Sequence, residues 1–269
     1  MTPSFVRGAA SALLAALLAA CATTTTSSSS VSPGKDIPTA SDQTDAVRRA
    51  NTRLELAGAY LTSGQYATAL DEVKQAIAAQ PNMSEAYNMR GLIYAAMGDD
   101  ALADESFRYA LQLSPRSGEV MQNYGWFQCL MKRYDQANAL FEQALALPQY
   151  RDTARTLLAP GVCQSRAGKL AEAEETLKRA FAIDPGNPGI AANYADVLFL
   201  RGQYDRARFY VQRVNADPKQ ANSQTLWLAA RIEYRAGNRA AANEIGQQLR
   251  TRFPKSREAI AFEQGRFDE

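Results

Sequence analysis

From about Ala50 to Ser256, small and large apolar residues recur with a period near 34, with polar positions between them. The stretches 50–83, 84–117, 118–151, 154–187, 188–221 and 223–256 can be laid over one another. Unit position 8 is then always small: Ala57, Gly91, Gly125, Gly161, Ala195 and Ala230. So is position 20: Ala69, Ala103, Ala137, Ala173, Ala207 and Ala242. Position 24 carries bulk in Phe107, Phe141 and Leu177. Small residues let two helices approach, and the large ones fill the space beside them. Gly64, Gly98, Gly168, Gly202 and Gly237 stand near position 15, where glycine ends a helix in the left-handed conformation. Pro81, Pro115, Pro185 and Pro254 stand near position 32, where proline cannot continue a second helix. Each unit therefore reads as a helix hairpin. One hairpin cannot bury its own apolar face, so the units stack. The tail from Ser256, with Ile260 and Phe262, reads as a partial capping helix on the last one.

Period and pattern together resemble the tetratricopeptide repeat. The resemblance implies an all-α fold: a right-handed α-solenoid of six helix-turn-helix repeats, occupying residues 44–269. It also implies a concave wall built by the first helix of each pair, the wall with which such repeats bind peptides and proteins. Unit positions 2, 5, 9, 12 and 13 face that wall. They hold Leu54 and Leu61 in the first unit, Leu92, Ala95 and Ala96 in the second, Trp126 in the third, and Trp227, Arg231 and Tyr234 in the sixth. Apolar side chains on a partly open concave face mark a partner site. The expectation is a contact in the N-terminal half, through Leu54, Leu61, Leu92, Ala95 and Ala96, together with Trp126.

The N-terminus has a different pattern. Residues 1–20 carry one charge, Arg7, followed by an apolar run from Ala9 to Ala20 that is too short to span a bilayer as a helix. This reads as an export signal. It ends at Leu18-Ala19-Ala20-Cys21, which resembles the lipobox of bacterial lipoproteins and implies acylation, with palmitate, at Cys21. Ala22 stands where an inner-membrane retention signal would place Asp, so the expected location is the periplasmic face of the outer membrane. Residues 21–43 hold Thr23–Thr26, Ser27–Ser30, Pro33 and Pro38, a composition that cannot order itself by burial. They read as a tether, with a reach of about 25 Å.

Composition removes several functions. A formal net charge of +2 leaves no basic footprint for nucleic acid. The sequence has no His, which removes the commonest general base and metal ligand. It holds no phosphate loop, serine elbow or metal-spaced cysteine pair. No catalytic residue, metal, cofactor or small-molecule substrate is expected, and the chain reads as a non-enzyme. Of three cysteines, Cys129 and Cys163 remain after Cys21 is acylated. They sit at nearly matching positions of consecutive first helices, whose axes pack about 8–10 Å apart. In an oxidising periplasm the pair is expected to form a disulfide. Pro160, inside the first helix of the fourth unit, predicts a kink or break there.

Some strings exceed the generic repeat: Asn123-Tyr124-Gly125-Trp126-Phe127-Gln128-Cys129, Leu147-Pro148-Gln149-Tyr150, Gly161-Val162-Cys163 and Ala207-Arg208-Phe209-Tyr210. With the lipobox and six units, they resemble the type IV pilus biogenesis/stability lipoprotein family, PilF/PilW, over about residues 50–257. Pro160 departs from that family, which carries a helix-compatible residue there. The resemblance implies a pilotin, an outer-membrane lipoprotein whose partner is the pilus secretin and which helps it localise and multimerise. The alternative is a scaffold of the same build for another envelope assembly, such as outer-membrane protein insertion or cell-wall enzymes. The anchor is directly testable. A Cys21→Ser chain should incorporate no labelled palmitate and leave its membrane, with the helical circular dichroism of its repeats unchanged. Label retained in the variant would refute acylation at this residue.

Overall fold

The computed structural model describes residues 44–150 and 153–267; the signal, Cys21 and the tether lie outside them. Among the described residues there are thirteen helices and no strand. They pair as α1 Asp45–Thr62 with α2 Tyr66–Ala79, α3 Ser84–Met97 with α4 Asp100–Leu113, and α5 Gly118–Leu130 with α6 Tyr134–Leu145. The series continues with α7 Ala154–Arg166 and α8 Leu170–Ile183, α9 Pro188–Leu200 and α10 Tyr204–Asn215, and α11 Ser223–Arg235 and α12 Arg239–Arg252. The short α13 Arg257–Glu263 follows. The fold is an all-α tetratricopeptide-type solenoid. Its first helix begins five residues before Ala50, because Thr44 caps it: Thr44 Oγ1 accepts the Val47 N–H at 3.3 Å.

Each odd-numbered helix touches the next odd one, whereas the even helices pack only between odd ones. That asymmetry bends the stack and puts the odd helices on the inner side. Within a pair, small and large positions fit as the pattern requires. A Cβ on Gly91 would come within 2.8 Å of the Phe107 ring, one on Gly125 within 2.8 Å of Phe141, and one on Gly161 within 2.7 Å of Leu177. Where position 8 is Ala, as at Ala57 and Ala195, position 24 shrinks to Val73 and Val211, all of them buried. The sixth unit inverts the scheme. Gly246 occupies the bulky position, and the Phe262 ring of α13 fills the space a side chain there would take.

Polar groups lock neighbouring pairs together. Asp104 of α4 accepts the Tyr124 hydroxyl at 2.8 Å and Gln128 Nε2 at 3.1 Å, both from α5. Burial and that bond to Asp104 push the Tyr124 pKa up to about 12. Glu174 of α8 accepts Gln203 Nε2 at 3.0 Å and Arg206 Nη1 at 2.7 Å, and pairs with Arg201. Burial raises its pKa, but these donors outweigh burial and hold the carboxyl below its usual range. Between the last two pairs, Arg208 grips Glu233 by two bonds of 2.6 and 3.1 Å.

Of the kink or break expected at Pro160, the break is absent: α7 runs unbroken from Ala154 to Arg166. The carbonyl that a residue-160 N–H would have served is that of Thr156, and Gln122 Nε2 of α5 donates to it at 3.4 Å. A neighbouring unit thus supplies the donor that proline lacks. Gly161 beside it serves the close approach to Leu177 rather than flexibility.

One position strains the design. Five units place glycine in the left-handed region after the first helix: Gly64, Gly98, Gly168, Gly202 and Gly237, with φ between 72° and 86°. The third unit has Lys132 there, at φ 59°. An L-residue costs about 1–2 kcal/mol in this conformation, and glycine loses part of that advantage through the unfolded chain. Lys132→Gly should therefore raise stability by about 0.5–1 kcal/mol. The gain would appear as a higher urea midpoint at unchanged slope; an equal or lower midpoint would refute the strain.

Candidate binding site on the concave face

Facing odd helices leave two cavities on the inner wall. The larger, about 780 Å³, lies between α5, α7 and the start of α9. Trp126 of α5 and Leu158, Ala159 and Val162 of α7 line it with apolar surface; Glu119, Arg155 and Arg166 carry its charge. The Arg166 guanidinium lies 5.0 Å from the centroid of the Trp126 ring, within cation–π range. Gln122, Asn123 and Asn193 line it as well. Each binds through its side-chain nitrogen: Gln122 to the Thr156 carbonyl, Asn123 to Asn88 Oδ1 at 3.2 Å, and Asn193 to the Gly189 carbonyl at 2.7 Å. Asn88 in turn donates to Glu119 at 3.5 Å.

Tyr150 completes this wall. It follows α6 in the stretch that lengthens the third unit, and its ring lies on the N-terminus of α5 so closely that no side chain would fit at Gly118. The insertion thus turns an aromatic ring into a cavity wall.

A second cavity, about 460 Å³, follows between α9, α11 and α13 and shares Asn193 with the first. Asp196, Arg231 and Glu258 give it the opposite balance of charge. Burial pushes the Asp196 carboxyl above its ordinary pKa, against the pull of Arg231. Beside it, the chain's own tail covers the inner face of the sixth unit. Past α13, Gly265 turns at φ 66° and brings Phe267 back onto α11. The Phe267 ring stacks parallel to Tyr234 with centroids 4.1 Å apart, meets Trp227 at 5.1 Å, and its carbonyl accepts Arg231 Nε at 3.3 Å.

The wall positions named in the sequence divide. Trp126 lines the larger cavity, and Trp227 and Arg231 line the smaller. Leu54 and Leu61 are half-buried against Ala57, Val73 and Ile93, and Leu92 and Ala95 against Ala103, Phe107 and Phe127. Their apolar surface is spent on packing between helices, while Ala96 is exposed. Leu158 and Val162 were not singled out in the sequence, though they occupy positions 5 and 9 of the fourth unit. Tyr150, at the end of the third unit, and Phe267, past the sixth, stand at none of the wall positions. Cys129 and Cys163 are joined as a disulfide between α5 and α7, Cα atoms 5.8 Å apart, directly behind Trp126. Cys21 lies outside the described residues.

Tetratricopeptide repeat models match residues 54–117 and 131–188, 165–232, and 224–256. The type IV pilus assembly protein PilF of Pseudomonas aeruginosa is 28% identical over 234 residues, covering 87% of this chain and 92% of that protein. The crystal structure of PilW, described as a widely conserved type IV pilus biogenesis factor, superposes with a TM-score of 0.73 at 32% identity. It covers 79% of this chain and 97% of PilW. The Pseudomonas aeruginosa PilF structure gives 0.69 at 25% identity, covering 82% and 100%.

The bridge behind the larger cavity closes a loop of 34 residues. A Cys129→Ser/Cys163→Ser chain should lose roughly 3–4 kcal/mol of stability on the chain-entropy account. Intact-mass measurement of the exported protein, alkylated without reductant, should find neither thiol free; two alkylated thiols would refute the bridge.

Proposed function

The chain belongs to the tetratricopeptide-repeat family of type IV pilus biogenesis proteins, with PilF and PilW, and from that membership we propose that it is a pilotin for the pilus secretin. In this reading it is not an enzyme. It is an adaptor anchored through acylated Cys21 at the periplasmic face of the outer membrane, and it holds secretin subunits near the lipid while they assemble into a ring. The observation that carries the reading is likeness along nearly the whole length of PilW and PilF, rather than over a few repeats.

The inner wall supports it physically. A protein partner needs a preformed concave surface with apolar anchors and a polar rim. The cavity around Trp126 offers both, on helices locked by packing and by the Cys129–Cys163 bridge. Glu119, Arg155 and Arg166 supply the charged part of that rim.

The test is genetic and biochemical. Deleting the gene should abolish heat-stable secretin multimers in the outer membrane and surface pili, and the wild-type gene should restore both. Cys21→Ser should leave multimers, where they form, in the wrong membrane. Normal outer-membrane multimers in the deletion strain would overturn the pilotin role and leave another step of pilus biogenesis as the chain's function.

A further inference from the structure

Two aromatic sites lie on the inner wall. In the sixth unit the wall is occupied by the chain itself: Phe267 lies flat on Tyr234, packs at a tilt against Trp227, and takes a hydrogen bond from Arg231 through its backbone carbonyl. There the wall accepts an aromatic side chain on a non-helical segment against Trp227 and Tyr234, while Arg231, whose guanidinium lies over Phe199, holds the backbone of that segment. The larger cavity also offers an indole and an arginine, here in direct contact, since Arg166 sits over Trp126; Tyr150 forms a second aromatic wall, and no segment of the described chain fills it. The cavity, at about 780 Å³, falls within the range of sites that enclose a small ligand or a few residues of peptide.

We infer that this cavity binds an extended segment of a protein partner that carries an aromatic side chain next to an acidic one. The aromatic residue enters between Trp126, Tyr150 and Leu158. The acidic residue follows from charge: the described lining holds two cations, Arg155 and Arg166, against one carboxylate, and that carboxylate, Glu119, already accepts from Asn88. An arginine stacked on an indole keeps its N–H groups free at the ring edge for a carboxylate. The segment must be extended because its backbone N–H groups need acceptors. The side-chain oxygens of Gln122, Asn123 and Asn193 can provide them, since each amide is held in place through its nitrogen. The inference deepens the reading of the inner wall as the partner surface and rests on it.

The chain has only two tryptophans, one in each site. Full-length acylated protein labelled with 5-fluorotryptophan, in detergent micelles, gives one fluorine resonance for each, and Trp227→Phe assigns them. The probes are four blocked Ser/Gly peptides with Asp-Phe, Asp-Ala, Lys-Phe or Lys-Ala at the centre. The Asp-Phe peptide should shift the Trp126 resonance saturably, with Asp-Ala and Lys-Phe at least tenfold weaker. Arg166→Glu, folded by circular dichroism, should reverse the preference between Asp and Lys. Four indistinguishable peptides, no shift at Trp126, or a shift at Trp227 alone would each overturn the inference. The wild-type comparison decides even if Arg166→Glu fails to fold. A chain that discriminates these peptides in a strain whose secretin assembles without it would keep this inference and lose the pilotin reading.

Discussion

Everything in this solenoid depends on how closely the two helices of one pair can approach. Gly91 under Phe107, Gly125 under Phe141 and Gly161 under Leu177 leave no room for a single extra carbon. Where the lower residue gains a methyl group, the upper one loses bulk, as in Ala57 with Val73 and Ala195 with Val211. Protein interiors are packed densely enough that such compensation must be local. The spacing of each pair fixes the pitch at which the next pair docks, and hence the curve of the inner wall. A change at position 8 or 24 would alter groove geometry several helices away from any partner.

The junctions then differ in kind. Carboxylates serve three of them: Asp104 into α5, Glu174 into α10 and the turn before it, and Glu233 held by Arg208. The junction between the third and fourth units instead uses a covalent bond. This is also where the repeat is least regular, with an insertion, Lys132 in a glycine's conformation, and Pro160 inside a helix. The same irregularity makes the cavity, because Tyr150 and the Trp126–Arg166 pair belong to it. Strain and irregular backbone persist only where surrounding structure holds them; here the disulfide and the Gln122 bond to Thr156 do so.

Most of the fold was legible in the sequence because its signals are local. Alanine and glycine at fixed spacing, glycines after first helices and prolines after second ones mark six hairpins without reference to any distant contact. The cysteine pair was legible for the same reason, since repeat register converts sequence distance into spatial neighbourhood. The site was less so. Leu54, Leu61 and Leu92 occupy wall positions, yet neighbouring helices cover part of them, and coverage depends on inter-unit geometry that the repeat pattern does not carry. Pro160 predicted a kink or break, and the helix stays unbroken because α5 brings a donor that a helix read alone lacks. Tyr150 and Phe267 act from positions that carry no recurring residue type, where periodicity has nothing to say.

The filling of Gly246's space by Phe262, with Phe267 laid over Tyr234, bears on the size of the assembly. A stack of identical hairpins has no intrinsic length: its last face is complementary to its first, so an uncovered end invites another molecule to continue the series. Here the would-be bulky residue of the final hairpin is missing from its own helix and arrives from the following one. The surface of that hairpin is thus unlike every internal surface. Polymer chemistry would call this end-capping. It gives the described stack a terminal hairpin finished from within its own chain.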